Sequence, residues 1–142
     1  MTELMADRAK LRAALAAAQE KAARATVVWG EDDCLMWLAN ILYAAGPVDP
    51  GAPWRGRYAS EAEAQRLMGW RGPAGVLLET ARRMGWRRID PGEARPGDLG
   101  LAPAASGLAG VMCAAPGWWC HRVADGLAFY RGHAVRAAWR VA

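Results

Sequence analysis

From Leu99 to Cys120 no residue carries a charge. On length alone this stretch could cross a bilayer as one helix, which needs about 20 predominantly apolar residues. Pro103, Pro116, Gly100, Gly107, Gly110, Gly117 and Ser106 interrupt it. Those residues fall where turns separate short strands, so the stretch reads as buried strands and not as a membrane helix. The preceding "IDPGEARPGDLGLAPA" has the same texture, with two Pro-Gly turns between short apolar pieces. Strands are expected near 98–103, 107–114, 117–123 and 127–130, with a last one near 137–141.

The chain before Arg88 is of a different kind. Residues 3–24 are alanine-rich, with Leu4, Arg8, Leu11, Leu15 and Ala18 at helical spacing. Thr26-Val27-Val28 breaks that pattern. A second helix is expected from Asp32 or Asp33, both good capping residues, to about Ala45, where Gly46-Pro47 stops it. Its apolar stripe comprises Cys34, Trp37, Leu38, Ile41, Leu42 and Ala45. "PVDPGAPWRGRY" is a punctuated loop. Ser60–Glu63 forms a capping box that opens a short helix through about Met68. Another helix is expected from about Ala74 to Met84, ending at Gly85. The architecture implied is α+β, with N-terminal helices packed on a small C-terminal antiparallel sheet.

At 142 residues the chain is long enough for one domain with its own core. Its net charge is +4, and only Lys10 and Lys21 among the 18 basic residues are lysines. The arginines are scattered in ones and twos, which argues for a solvated basic surface and against nucleic-acid binding. "MTELMADRAK" has no apolar core of the kind a secretory signal needs, so no signal peptide is expected.

Three cysteines without a C-x-x-C spacing argue for reduced thiols. Cys113 and Cys120 flank Pro116-Gly117 and could meet across a hairpin, although a bridge is not the favoured reading. With His121 they would offer at most three soft ligands, at a spacing that matches no common zinc pattern. No phosphate loop, nucleophile elbow or H-E-x-x-H is present. No metal and no cofactor are therefore expected.

The chemistry narrows to "WGEDDCLMWLANIL". A thiol in the first turn of a helix is stabilised as thiolate by the helix N-terminus, and a neighbouring histidine does more by accepting its proton. Glu31, Asp32 and Asp33 work against this, because nearby anions disfavour the thiolate. On spacing alone Cys34 is better explained as a small buried residue. Only His121 and His133 are available as bases. His133 reads as an ordinary surface histidine. His121 lies in "GWWCHRV", where Trp118, Trp119 and Cys120 point to partial burial. Of the eight tryptophans, Trp37 is core by spacing. Trp54, Trp70, Trp86, Trp118 and Trp119 lie near turns, where stacking on a ligand or a partner competes with core packing.

"WGEDDC" leading into a helix, "WRGRY" after a loop, "ARPGDLG" opening a sheet and the closing "AVRAAWRV" together resemble the NlpC-type papain-like cell-wall peptidases. They look closest to the small branch found in phage and gene-transfer-agent tail gene clusters. The resemblance covers nearly the whole chain after residue 25, which divides it into an N-terminal helix, 1–25, and an NlpC-like domain, 26–142. It implies a papain-like fold with Cys34 in the nucleophile's place. The base histidine of the superfamily normally opens the strand after "PGDL", and here Leu108 occupies that place. His121 falls near the position of the third, orienting residue. Trp54, Arg55, Arg57 and Tyr58 of "WRGRY" are candidate cleft residues, although salt bridges that merely pin the loop are the preferred role for the two arginines.

Losing a general base is worth roughly 10²–10⁴-fold in rate, so Leu108 implies a degenerate active site. The resemblance then implies a phage-type tail-tip component, located in the virion. It would bind other tail or baseplate proteins, with peptidoglycan as a further ligand and no nucleic acid or membrane insertion. The alternative is an active peptidoglycan endopeptidase with Cys34 as nucleophile and His121 as base. A thiol protein unrelated to cell walls is the third reading.

Overall fold

The N–H groups of Ala6 and Asp7 are taken by the carbonyls of Val141 and Ala45, both at 2.8 Å, so the chain enters the fold extended. Helix α1, Arg8–Ala22, starts only after that, with the Asp7 side chain accepting from the Lys10 amide at 2.9 Å. The computed structural model describes residues 5–105 and 107–142. The expected helix start near residue 3, Leu4 of its stripe and Ser106 lie outside the described residues. Within them the helix begins later than its alanine content implies, because Asp7 caps it.

Helix α2, Met36–Ala45, is the apolar one, with Met36, Trp37, Leu38, Ile41 and Leu42 buried. Its hydrogen bonding reaches back to Asp33, whose carbonyl accepts from Trp37 N at 2.8 Å. The Asp33 carboxylate accepts from the amides of Leu35 and Met36, so it is the capping group anticipated from its residue type. Helix α3, Glu61–Met68, opens with the Ser60 hydroxyl accepting from Glu63 N at 3.1 Å. A 3-10 turn leads into α4, Gly72–Met84, which stops at Gly85 in the left-handed region.

Six strands follow: β1 Arg87–Ile89, β2 Leu99–Ala104, β3 Gly107–Ala115, β4 Trp118–Val123, β5 Gly126–Arg131 and β6 Ala137–Arg140. They form one antiparallel sheet in the order β1-β6-β2-β3-β4-β5. The fold is therefore α+β, with five strands close to their expected places. β1 was not anticipated. Two of its three residues are exposed arginines, so it shows no apolar alternation to read. The uncharged run becomes β2, β3 and the start of β4. Among the described residues no helix is long and apolar enough to cross a membrane.

The helices cover one face of the sheet. Leu11 and Leu15 of α1 share a core with Trp37 and Ile41 of α2, Leu77 of α4, and Leu99, Met112 and Cys120 of the strands. Each such leucine contributes about 1.5–3 kcal/mol through burial. The first helix is thus part of the same core as the residues after 25. The opposite face carries a second cluster around Ala102, Val111, Cys113 and Trp119. Met112 pairs with Cys120 and Cys113 with Trp119, so the pleat sends the two cysteines to opposite faces. All three cysteines are free. The hairpin brings Cys113 and Cys120 near in sequence register and turns them apart, so no bridge can close between them.

Asp98, fully buried, holds the two ends of the fold together. Its carboxylate accepts from Arg140 Nε at 2.9 Å, Arg95 N at 2.9 Å and Val141 N at 3.2 Å, with Arg8 Nη2 at 3.4 Å. Gly97 before it has φ +99°, and a Cβ there would lie 2.3 Å from Leu11 Cδ2. The "PGD" turn therefore needs glycine twice, for its backbone and for the close approach of α1.

Candidate functional site

The loop ahead of α2 is built on Gly30. Its φ of +83° is a glycine conformation, and an added Cβ would lie 2.1 Å from the Tyr58 carbonyl oxygen. The same backbone accepts from Gly56 N at 2.9 Å, which presses "WRGRY" against "WGEDD". Two loops far apart in sequence are thereby clamped together beside the start of α2.

Asp33 sits at their junction with 1% exposure. Its carboxylate accepts from Gly30 N at 2.8 Å, Leu35 N at 3.1 Å, Met36 N at 3.0 Å and the Tyr58 hydroxyl at 2.6 Å. Four donors satisfy a buried carboxylate, which would otherwise be costly. Burial, reinforced by the bond to Asp33, holds the Tyr58 phenol above its ordinary range.

Cys34 is partly buried in the turn just before α2, and not in the helix's first turn as expected, because the Asp33 carboxylate takes the amides of Leu35 and Met36 and the helix begins at Met36. Burial pushes its thiol up to about 11, and the Asp33 carboxylate adds to this, against weaker help from the backbone amides of the helix start. At neutral pH it is a thiol and not a thiolate. Asp32 turns the other way, toward Arg122 Nη2 at 3.6 Å. Burial raises the Asp32 carboxyl and the Arg122 charge opposes that shift.

His121 does not reach Cys34. Cys120 packs among the helices, so its neighbour in β4 points to the opposite face. There His121 Nε2 lies 3.0 Å from the Tyr130 hydroxyl, and Nδ1 has no partner among the described residues. Burial lowers its proton affinity. The expectation that an adjacent strand could present His121 on the same face as the cysteine fails because the residue falls on the wrong parity of the pleat. His133 is exposed in the 3-10 turn after β5. The amide of Gly132 bonds Gly117 there, at the end of β3 remote from Leu108.

Leu108 is on the helix-facing side of β3, two and four residues from Gly110 and Met112. A Cβ on Gly110 would lie 3.5 Å from Leu35 Cδ2, so β3 passes directly beside the residue after Cys34. Leu108 itself is 40% exposed.

The "WRGRY" residues have separate roles. Arg55 grips Asp49 through Nε–Oδ2 at 2.7 Å and Nη2–Oδ1 at 2.9 Å, and its Nη1 donates to Asn40 Oδ1. That hydrogen bond pair with Arg55 holds the Asp49 carboxyl below its usual range. Arg55 is a loop pin, as preferred from the sequence. Arg57 is exposed and makes no ion pair among the described residues. Trp54 is half-buried, with the Arg71 guanidinium 4.9 Å above its ring. Tyr58 is spent on Asp33.

Trp54, Tyr58 and Cys34 share the wall of a cavity of about 70 Å³ with Trp29, Met36 and Met68. It has room for a short apolar group and offers almost no hydrogen-bonding partner. No residue pattern announces it, because its walls come from segments scattered between Trp29 and Leu99. Among the described residues no group of three or more His, Cys, Asp or Glu is placed to hold a metal ion.

A family model described as "Domain of unknown function (DUF6950)" matches residues 7–141, and the chain belongs to that family. The match includes α1. No curated protein and no solved structure matches the chain.

Proposed function

We propose that this protein is a catalytically degenerate member of the NlpC-type papain-like fold that serves as a structural component of a phage-type tail. The observation that carries the reading is the state of Cys34. It stands at a helix start with its thiol raised to about 11 by burial and by Asp33. A papain-like nucleophile needs the reverse, a depressed thiol and a base within hydrogen-bond reach.

Further support comes from the strand beside it. Leu108, on the helix-facing side of β3, occupies the place that the resemblance gives to the base, and a leucine accepts no proton. The histidine of the enzymatic alternative, His121, faces away and is hydrogen-bonded to Tyr130. An endopeptidase with His121 as base would need that imidazole on the other side of β4. The order of elements, Cys34 just ahead of a buried helix packed on an antiparallel sheet whose second strand follows "PGDL", agrees with the papain-like reading.

On this reading the cleft binds and does not cut. Its cavity beside Cys34 takes a short aliphatic group from a neighbouring tail or baseplate protein, or from a peptidoglycan stem. The protein is retained for the contacts it makes in the virion.

The test combines two assays. Purified protein is incubated with isolated murein, and released peptides are followed by mass spectrometry while purified tail particles are searched for the chain. The expected result is no release and presence in particles. Murein cleavage that disappears in Cys34→Ala would replace this reading with the enzymatic one. Absence from particles would remove the structural assignment.

A further inference from the structure

The sheet has two edges of opposite character. β1 is three residues long and carries Arg87 and Arg88 exposed, which is how natural sheets discourage pairing with another strand. β5, Gly126–Arg131, has no proline, lysine or bulge, and its Phe129 is 53% exposed. Its open backbone can be assigned. The Gly132 amide donates to Gly117 O at 2.9 Å, toward β4. Amide directions alternate along a strand, so those of Tyr130 and Ala128 also point to β4. Those of Leu127, Phe129 and Arg131 then point outward. None of these three has a backbone hydrogen bond outside the sheet among the described residues.

We propose that β5 is the interface of a homodimer, pairing antiparallel with β5 of a second copy about a two-fold axis at Ala128. The β5 edge is self-complementary. In this register Leu127 faces Phe129 of the other copy, and the outward backbone groups of both meet as hydrogen-bonded pairs. Asp125 of each copy meets Arg131 of the other. Asp125 is exposed and has no ion-pair partner among the described residues. Among the described residues Arg131 has only the Trp118 ring, 4.9 Å away. On the other face Ala128 meets Ala128, and Tyr130 meets the small Gly126. Sliding the axis by one residue to Phe129 sets Leu127 against Arg131 and moves Asp125 opposite His133, in the 3-10 turn beyond the strand, so the Asp125–Arg131 pairing is lost. The charges therefore select the register as well as the partner. This surface shares no residue with the walls of the cavity beside Cys34.

Light scattering coupled to size exclusion, over a dilution series, tests it. The expected mass is twice that of the chain, falling to one on dilution. Asp125→Arg and Arg131→Asp should each raise the dissociation constant roughly tenfold or more, since each reversal turns two symmetric attractive pairs into repulsive ones. The double reversal should restore dimerisation. Phe129→Pro removes an outward amide while leaving those that face β4, so it should give a folded monomer, with circular dichroism checking the fold. Hydrogen exchange should show Leu127, Phe129 and Arg131 amides protected in the dimer. A monomer at every concentration overturns the proposal. A dimer indifferent to both charge reversals, or one that the double reversal fails to rescue, overturns it too.

Discussion

Tyr58 donates its phenolic hydrogen to the Asp33 carboxylate across 2.6 Å, and the next residue in the chain is Cys34. A negative charge is thereby fixed beside the thiol and shielded from water. The same carboxylate caps α2, so the group that starts the helix also suppresses the cysteine it presents.

Alkylation of Cys34 should therefore be slow at neutral pH, with its rate rising toward a midpoint near 11. Asp33→Asn removes the charge and should move that midpoint down. The substitution should also cost about 1–3 kcal/mol, since a buried network and a cap are both disturbed. Peptide-resolved mass spectrometry after timed iodoacetamide exposure measures the first, and urea unfolding the second. A Cys34 midpoint near neutrality in the wild type would contradict this account of the site.

Leu108→His offers the cleft a base. If β3 presents residue 108 toward the cysteine, the imidazole should accelerate Cys34 alkylation near pH 7, and the gain should vanish as the histidine protonates at lower pH. An unchanged pH–rate profile would show that position 108 does not address the thiol.

Gly30→Ala should loosen the whole junction. The added methyl would sit 2.1 Å from a backbone oxygen that cannot rotate away, at a φ that disfavours any side chain. The expected outcome is a loss of about 1–3 kcal/mol together with faster alkylation of Cys34. A variant with wild-type stability and reactivity would rule out the clamp.

Asp98 should be the costliest single carboxylate to remove. Asp98→Ala leaves Arg140 and two backbone amides without their buried acceptor, worth about 3–5 kcal/mol. The exposed Glu20–Arg24 pair provides the control, because Glu20→Ala should leave the urea midpoint unchanged. Equal effects from the two substitutions would discount the hub.

His121 gives the fold a pH dependence. Burial lowers its folded-state pKa below the ordinary 6.5, so as the pH falls through 6.5 the unfolded chain takes up a proton that the folded one refuses. Stability is full above that value and declines below it, until the folded form protonates as well. His121→Gln should flatten this part of the profile. A wild-type midpoint constant from pH 7 to pH 5 would refute the assignment.

Much of the fold was legible because local signals agreed. Ser60 and Glu63 marked the start of α3, Gly85 the end of α4, and Pro116-Gly117 the turn between β3 and β4. Asp33 was legible as a cap from its residue type. What stayed hidden was the face each strand residue takes. His121 and Cys120 are neighbours in sequence and opposites in space, and only the register with β3 decides which of them meets the helices. Asp98 was read as the first residue of a strand and not as a hub, because its partners Arg8 and Arg140 lie at the two ends of the chain. Arg55 was readable as a loop pin, while the cavity beside it has no linear signature.

Arg122 is almost fully buried in β4, where Nη1 donates to the carbonyls of Ala22 and Gly126, Nη2 to that of Ala25, and Asp32 lies 3.6 Å away. One guanidinium thus ties the end of α1, the β4–β5 hairpin and the turn that carries Cys34. A strand added at the β5 edge and a group seated beside the cysteine would pull on the same knot.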